Sequence, residues 1–255
     1  MIENDAGRKL QTTQTSMQVL ELVLKHDGLT LAELNEMLDK PKSTLHSHLT
    51  TLTDCRYLVR RGNTYEVSFR LALLGNRVRH KTDFNAIVTE IVEDLNSATE
   101  EETNFTVMEH GRLLLVHGTS GGASDDDQRG EFRTEYYMHN TAAGKAILAE
   151  MERDRVERIL DEWGMPREAE ATITDREQLF EELAEIAEQG YSVVDEEVAP
   201  GLVGVGATVH KDERIIGGLS VGGPKYRIDT PSLHSDIVEE LLEAVDRFEE
   251  HLHSN

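Results

Sequence analysis

Residues 30–69, TLAELNEMLDKPKSTLHSHLTTLTDCRYLVRRGNTYEVSF, decide the fold of the first part of the chain. Thr30-Leu31-Ala32-Glu33 has the spacing of a capping box, in which the Thr30 and Glu33 side chains satisfy each other's free N–H groups. Leu31, Leu34 and Leu38 follow as an apolar helical stripe. A second helix opens near Pro41, a residue suited to a first turn, and turns Leu45, Leu49 and Leu52 inward. Its other face carries Lys42, Ser43, Thr44, His46, Ser47 and Thr50, polar and without a carboxylate. Such a face suits phosphates and base edges. Tyr57 to Arg61, then Gly62-Asn63, then Thr64 to Phe69 with Tyr65, Val67 and Phe69 alternating, predict a hairpin with Arg60 and Arg61 at its tip. Upstream, a helix is expected from about Ser16 to Lys25, with Met17, Leu20, Val23 and Leu24 on one face and Gly28 ending the segment. Three helices and a basic hairpin make a winged helix-turn-helix. The alternative reading of the same elements is a small module that contacts protein.

Charge is divided unevenly around this region. The chain has 255 residues and a net charge of -23. Residues 1–80 hold 11 Lys and Arg against 9 Asp and Glu, a balance of +2, and residues 81–255 hold 15 against 40, a balance of -25. Only 8 of the 26 basic residues are Lys, and acidic runs such as Glu100–Glu102 and Asp125–Asp127 recur. An acid-rich, thinly basic surface stays soluble where salt screens its self-repulsion. A halophilic protein is therefore expected. No apolar run approaches a membrane span, and the N-terminus lacks the apolar core of a secretory signal. With Cys55 as the sole cysteine, a disulfide framework and a thiolate metal cluster are excluded. These features predict a cytoplasmic protein with no cofactor.

Residues 70–96 read as helical, with Phe84, Ile87, Ile91 and Leu95 on one face. Beyond them strands and helices alternate. A hairpin is predicted around His110-Gly111, helices over 142–151, 152–162 and 175–189, and strands over 191–194, 203–210 and 215–221. A last helix carries Leu233, Ile237, Leu241, Val245, Phe248 and Leu252. The class is α+β, with much antiparallel pairing in the second domain. Ala142-Ala143-Gly144 opens a helix with small residues, so a ligand can approach free N–H groups at its positive end, which favours an anion. Close packing of helix on sheet is the competing reason for small residues there.

Residues 41–58 resemble the recognition helix of IclR-type transcriptional regulators, a Pro-Lys-Ser-Thr followed by an aliphatic, a Thr-Leu pair and a Gly-Tyr-Leu. Ser47 stands where that family often has Arg, and Arg56 where it has Gly, so base preference at Ser47 does not transfer. Met138–Ala149 is similar to the family's effector-domain signature around Gly-Lys-Ala. Thr172–Asp175, Leu183–Tyr191 with Asp195–Glu197 and Gly201, and Gly218–Pro224 match further blocks. The resemblance spans roughly residues 12–250 and implies a winged helix-turn-helix over 10–72, a linker helix over 73–96 that aids dimerisation, and a GAF-like effector-binding domain over 97–255.

What the resemblance implies for the sites is specific. Ser43, Thr44, His46 and Ser47 approach base edges of double-stranded DNA; Lys42, Arg60 and Arg61 hold phosphates. A homodimer or homotetramer then reads a near-palindromic operator. The effector site takes Ala143, Gly144, Asp195, Gly204, Ser220 and Gly222. Gly204 replaces a frequent Cys and Gly222 a frequent Ser, which enlarges the pocket. A small organic acid of more than three carbons, such as a sugar acid or an aromatic acid, is expected, and with it control of catabolic genes.

Other motifs lose to plainer readings. Gly218–Gly222 is a literal G-x-S-x-G, and Asp229, His234, Asp236 and His251 follow it. A nucleophile elbow needs strand, turn and helix, whereas a strand is expected to run through Ser220. A serine esterase is thus the weaker alternative, beside a ligand-sensing adaptor. Gly144-Lys145 lacks the rest of a P-loop. His110, His117 and His139 lack ligand spacing, and His251 and His253 sit on a terminal helix. Asp125–Asp127 reads as a solvated loop, and Cys55 as a small buried residue.

Overall fold

The computed structural model describes residues 9–82, 84–119, 135–228 and 235–254. The readings at Asp125–Asp127, Asp229, Leu233 and His234 lie outside these residues. The chain divides into two compact units, Met1–Thr82 and Asp83–Asn255.

The first unit is a winged helix. Its elements are α1 (Gln11–Lys25), β1 (Leu29–Thr30), α2 (Leu31–Leu38), α3 (Lys42–Asp54), β2 (Leu58–Arg61), β3 (Thr64–Val67) and α4 (Arg70–Arg79). The capping box forms as expected, with the Thr30 N–H donating to Glu33 Oε2 at 2.7 Å and the Glu33 N–H donating to Thr30 Oγ1 at 3.3 Å. Leu34, Leu45, Leu49 and Leu58 fill the core together with Val19 and Val23. α1 begins earlier than predicted and turns a partly different face inward. It buries Thr15, Val19 and Val23, while Met17 and Leu24 are exposed. A helix buries one stripe, and here the stripe at i, i+4, i+8 meets the core formed by α3 and β3.

β1 was not expected, since two residues carry no periodicity. It pairs with β3 (Leu29 opposite Tyr65), giving a sheet of order β1-β3-β2. β2 and β3 meet across Gly62-Asn63, with Arg61 opposite Thr64. Gly62 supplies the left-handed φ of +62° that this turn takes. Phe69 lies outside β3 and is exposed. Cys55 is also exposed, contrary to the sequence reading. It caps the end of α3, where the chain reverses through Arg56 at φ +66° and leaves the core.

The stretch read as one helix over 70–96 is two, α4 and α5 (Val88–Thr99). Between them the Thr82 hydroxyl donates to the Arg79 carbonyl at 2.7 Å. Thr, Asp and Asn favour such local bonds over continuing a helix, and residues 80–85 contain all three.

The second unit continues with β4 (Glu102–Glu109), β5 (Arg112–Gly118), β6 (Glu135–Tyr136), α6 (Ala142–Ala149), α7 (Arg153–Trp163), α8 (Arg176–Gln189), β7 (Ser192–Asp195), β8 (Leu202–Lys211), β9 (Arg214–Pro224) and α9 (Asp236–Ser254). The six strands form one antiparallel sheet of order β6-β5-β4-β9-β8-β7. Alternation along β8 and β9 sorts residues by size. Val203, Val205, Ala207, Val209, Leu219 and Val221 pack in one core with α5 and α9. The opposite face is nearly bare: a Cβ at Gly206 would lie 2.5 Å from the Ala143 nitrogen, and one at Gly218 2.9 Å from the Ala143 Cβ. The first turn of α6 thus rests on sheet backbone. Behind it α6, α7 and α8 close a second core around Ile147, Leu160 and Leu183.

His210 on β8 ties two helices to the sheet. Its Nε2 lies 2.7 Å from Glu150 Oε2, just past α6, and its Nδ1 3.0 Å from Glu249 Oε1 on α9. Two carboxylate acceptors require both ring nitrogens to donate, which only the imidazolium can do. Burial opposes that charge, but the bonds to Glu150 and Glu249 outweigh it and raise the His210 pKa. A raised folded pKa contributes stability that is complete below the ordinary imidazole value and lost as pH rises through the folded value. Urea denaturation of the wild type should therefore show stability falling as pH rises above the ordinary imidazole value of about 6.5. His210→Gln should flatten that slope; an unchanged slope would assign it to another group.

Candidate functional site

On α3, Lys42, Ser43, Thr44, His46 and Ser47 are all exposed, while Leu45, Leu49 and Leu52 are buried. The exposed face is the polar one predicted. Helical spacing brings its residues together, and β2 and β3 present Arg60 and Arg61, also exposed. These arginines are not loose. Arg60 Nε donates to the Gly62 carbonyl at 3.0 Å, and its guanidinium lies 5.6 Å from the centre of the Tyr65 ring. Arg61 Nε pairs with Glu66 Oε2 at 2.8 Å. Ser47 donates to the Ser43 carbonyl at 3.0 Å, so its hydroxyl faces outward as an acceptor. His48, unremarked in the sequence, holds α1 to α3 through a 2.8 Å bond between Nδ1 and Ser16 Oγ.

In the second unit a chamber of about 200 Å³ opens between the first turn of α6 and the sheet. Thr141, Ala142 and Ala143 contribute the helix side, and Gly204, Ser220 and Gly222 the floor. Four of the six expected effector residues, Ala143, Gly204, Ser220 and Gly222, line it. Gly204 and Gly222 face each other across β8 and β9, so closely that a Cβ on either would lie 2.9 Å from a carbonyl of the other strand. Their smallness serves strand packing as well as pocket space.

The other two stand apart from the lining. A Cβ at Gly144 would strike the Met138 carbonyl, so this glycine packs the helix against the preceding loop. Asp195 accepts two bonds from the Lys225 ammonium, at 2.7 and 2.9 Å, and Glu196 accepts a third at 2.7 Å. Successive strand residues point to opposite faces, and on β7 it is Val194 that reaches the chamber. Ser220 sits within β9, not on a strand-turn-helix elbow.

Sequence reasoning missed Glu102, Asn104 and Thr106, which line the chamber from β4. The signal was available. Polar residues at 102, 104 and 106 alternate with Thr103, Phe105 and Val107, and a central strand with one polar face must turn it toward something polar. A larger concavity, about 500 Å³, is lined by Glu150, Glu152, Arg155, Glu213, Arg214 and apolar neighbours. It holds none of the expected residues, and the helix start it touches, that of α7, brings Glu152 at its cap. The smaller chamber is the better candidate despite its size.

A buried ionic lock adjoins the chamber. Lys145 on α6 is wholly buried and donates from Nζ to Glu182 Oε1 at 2.7 Å and to Glu197 Oε1 at 2.5 Å. The Glu197 carbonyl accepts from Thr172 Oγ1 at 2.7 Å and Asn140 Nδ2 at 3.3 Å. Burial pushes the Glu197 carboxyl above its ordinary range, against the pull of Lys145. Val198, the next residue, enters the chamber wall. His139 bonds the Pro166 carbonyl at 3.2 Å, and burial lowers its pKa, which suits a neutral core histidine. Among the described residues, no group of three or more His, Cys, Asp or Glu is placed to hold a metal ion, and no helix is long and apolar enough to cross a membrane.

Comparison with known proteins places both units. Residues 76–249 match the family described as the bacterial transcriptional regulator IclR C-terminal region, and residues 14–62 match the IclR helix-turn-helix domain. "Probable HTH-type transcriptional regulator ArcR" of Halobacterium salinarum is 26% identical over 257 residues, spanning 96% of this chain and 95% of that protein. The transcriptional repressor IclR of Escherichia coli is 25% identical over 240 residues, spanning 88% and 83%. An IclR homolog from Microbacterium hydrocarbonoxydans, solved with 4-hydroxybenzoate, has the same fold, with a TM-score of 0.79 at 21% identity over 96% of this chain and 100% of that one.

Removing one partner of a buried pair leaves an uncompensated charge, which costs about 3 kcal/mol or more. Glu197→Ala should destabilise the second unit by about that amount in chemical denaturation. A loss below about 1 kcal/mol, the scale of an exposed pair, would mean that Glu182 alone suffices for Lys145.

Proposed function

The chain belongs to the IclR family of transcriptional regulators, and from that premise we propose how its two units divide the work. The first, over residues 10–72, reads a near-palindromic operator through Ser43, Thr44, His46 and Ser47 and holds phosphates through Lys42, Arg60 and Arg61. The second, over residues 97–255, binds a small organic acid, a sugar acid or an aromatic acid, in the chamber beside α6. The regulator works in the cytoplasm as a homodimer or homotetramer and controls catabolic genes. The linker segment 73–96 joins the units.

One observation carries the DNA-binding assignment to residues: an acidic protein keeps the whole exposed face of Lys42–Thr50 free of carboxylates, beside two exposed arginines. The effector assignment is supported by the chamber's position at the positive end of α6 and by its size. At about 200 Å³ it falls below the ~300 Å³ at which pockets for drug-sized ligands begin. The related regulator solved with 4-hydroxybenzoate supports an aromatic acid. Phe69 and Leu73, exposed four residues apart at the end of the winged unit, support self-association, since adjacent exposed apolar groups mark interaction surfaces. The effector acts by binding one arrangement of the assembly better than another.

The deciding experiment is fluorescence anisotropy in molar KCl on DNA upstream of the protein's own gene and its neighbours, with and without a panel of sugar and aromatic acids. Specific binding that one acid alters is expected. Absence of specific binding by folded protein would favour an adaptor. Replacing Arg60 and Arg61 with Ala should weaken all sequences alike and flatten the log–log salt dependence by up to about two. Calorimetry should show acids of more than three carbons binding more tightly than glyoxylate or pyruvate; the reverse order would refute the enlarged pocket.

A further inference from the structure

Charges in the chamber are arranged unusually for an acid-binding site. Among the described residues its lining contains no Lys, Arg or His, and its one Asp or Glu is Glu102. In a protein with 49 acidic residues a carboxylate on a solvated face means little. Glu102 is exposed too, and what sets it apart is its place in the strand. It shares one face of a central strand with Asn104 and Thr106, which also line the chamber. Asn104 Nδ2 donates to Glu102 Oε1 at 2.8 Å, which orients the carboxylate. No hydrogen bond to its second oxygen is seen among the described residues.

Strand register sets what Glu102 looks across. It stands opposite Gly222, which stands opposite Gly204, which stands opposite Val194. The two middle residues have no side chains, so this row of the sheet is an empty floor with a carboxylate at one end and a valine at the other. The next row is Asn104, Ser220, Gly206 and Ser192, and α6 rests on it at Gly206. Two residues along a strand span about 7 Å. The chamber therefore has two poles, helix N–H groups and the Ser220 hydroxyl at one and Glu102 at the other, separated by about 7 Å along the strands and by one to two strand spacings of about 4.8 Å across them.

We propose that Glu102 determines effector specificity by accepting a hydrogen bond from a hydroxyl or ammonium group at the end of the ligand opposite its carboxylate. The proposal rests on the chamber being the effector site. A monocarboxylic acid with a distal hydroxyl or amine satisfies both poles. An acid with an apolar end offers the carboxylate no donor, and a dicarboxylic acid sets like charges together.

The test is titration calorimetry in molar KCl with two matched series: 4-hydroxybenzoate, benzoate and terephthalate; and gluconate, hexanoate and adipate. In at least one series the hydroxylated acid should bind at least about ten-fold more tightly than its bare counterpart, with the dicarboxylate weakest, since an unsatisfied polar partner is what rejects an analogue. Glu102→Leu should remove that preference, and Glu102→Gln, which keeps an acceptor, should retain part of it. Ser220→Leu, which fills the chamber, should abolish binding in both series. Equal binding within each series, or a preference unchanged in Glu102→Leu, would overturn the role of Glu102 and leave the chamber as the effector site. Binding that survives Ser220→Leu, or no binding of any of the six acids to folded wild type, would overturn both.

Discussion

The second unit depends on how closely the first turn of α6 lies on the glycine face of β8 and β9. At Gly206 and Gly218 a single methyl group would collide with the Ala142–Ala143 backbone. Protein interiors are close-packed, so such an approach admits no substitute of larger volume without moving one layer. Its consequence is geometric. Where the helix touches the sheet there is no space, and just beyond the contact, over Gly204 and Gly222, a chamber remains. The same alternation that puts glycine on this face puts Val203, Val205, Leu219 and Val221 on the other, where α5 and α9 need bulk. One period-two pattern thus builds a core on one side of the sheet and a cavity on the other.

A helix held only by absent side chains would slide. Lys145, one turn into α6, prevents this by reaching Glu182 on α8 and Glu197 in the segment after β7. Buried ions are costly to place, and the compensation here is dense: two carboxylates on the ammonium, and Thr172 and Asn140 on the Glu197 carbonyl. Because Val198 follows Glu197 directly, the lock sets the helix wall and the facing wall of the chamber together. His210, bonded to Glu150 and Glu249, fixes the far end of α6 in the same way.

How much of this could be read from residues varied with the physical origin of each feature. The capping box, the Leu45, Leu49 and Leu52 stripe and the hairpin through Gly62-Asn63 are local, and local patterns were legible. On α1, Val23 and Leu20 face the core as read, whereas Met17 and Leu24 do not, because they are as apolar as Val19 and only the partner decides which stripe is buried. β1 exists only through its pairing with β3. The break after α4 was hidden by an apolar repeat that continues through Phe84 and Ile87 into α5. At the chamber, the expected residues on the glycine face of the sheet line the cavity, whereas on β7 the residue that lines it is Val194 and not its neighbour Asp195. Glu102 was passed over because, in so acidic a chain, one more carboxylate carried no contrast.

Electrostatics gives the two units different tasks in salt. The winged unit is nearly neutral, and one of its two wing arginines is already paired, Arg61 with Glu66 at 2.8 Å. A phosphate that takes Arg61 must displace Glu66, so that contact releases less than a full counterion's worth of drive. At molar salt that drive is small in any case, and the field of the acidic unit is screened within about 3 Å. What survives screening is short-ranged: hydroxyls and an imidazole on α3 against base edges, and van der Waals fit in the groove. Under the proposed assignment, Ser43, Thr44, His46 and Ser47, sparing in charge and rich in short polar groups, would suit that regime. The same reasoning governs the chamber. The described residues that line it include no cationic side chain to attract an acid from a distance, so under the proposed reading its selectivity would rest on direct hydrogen bonds at two poles, which salt leaves intact.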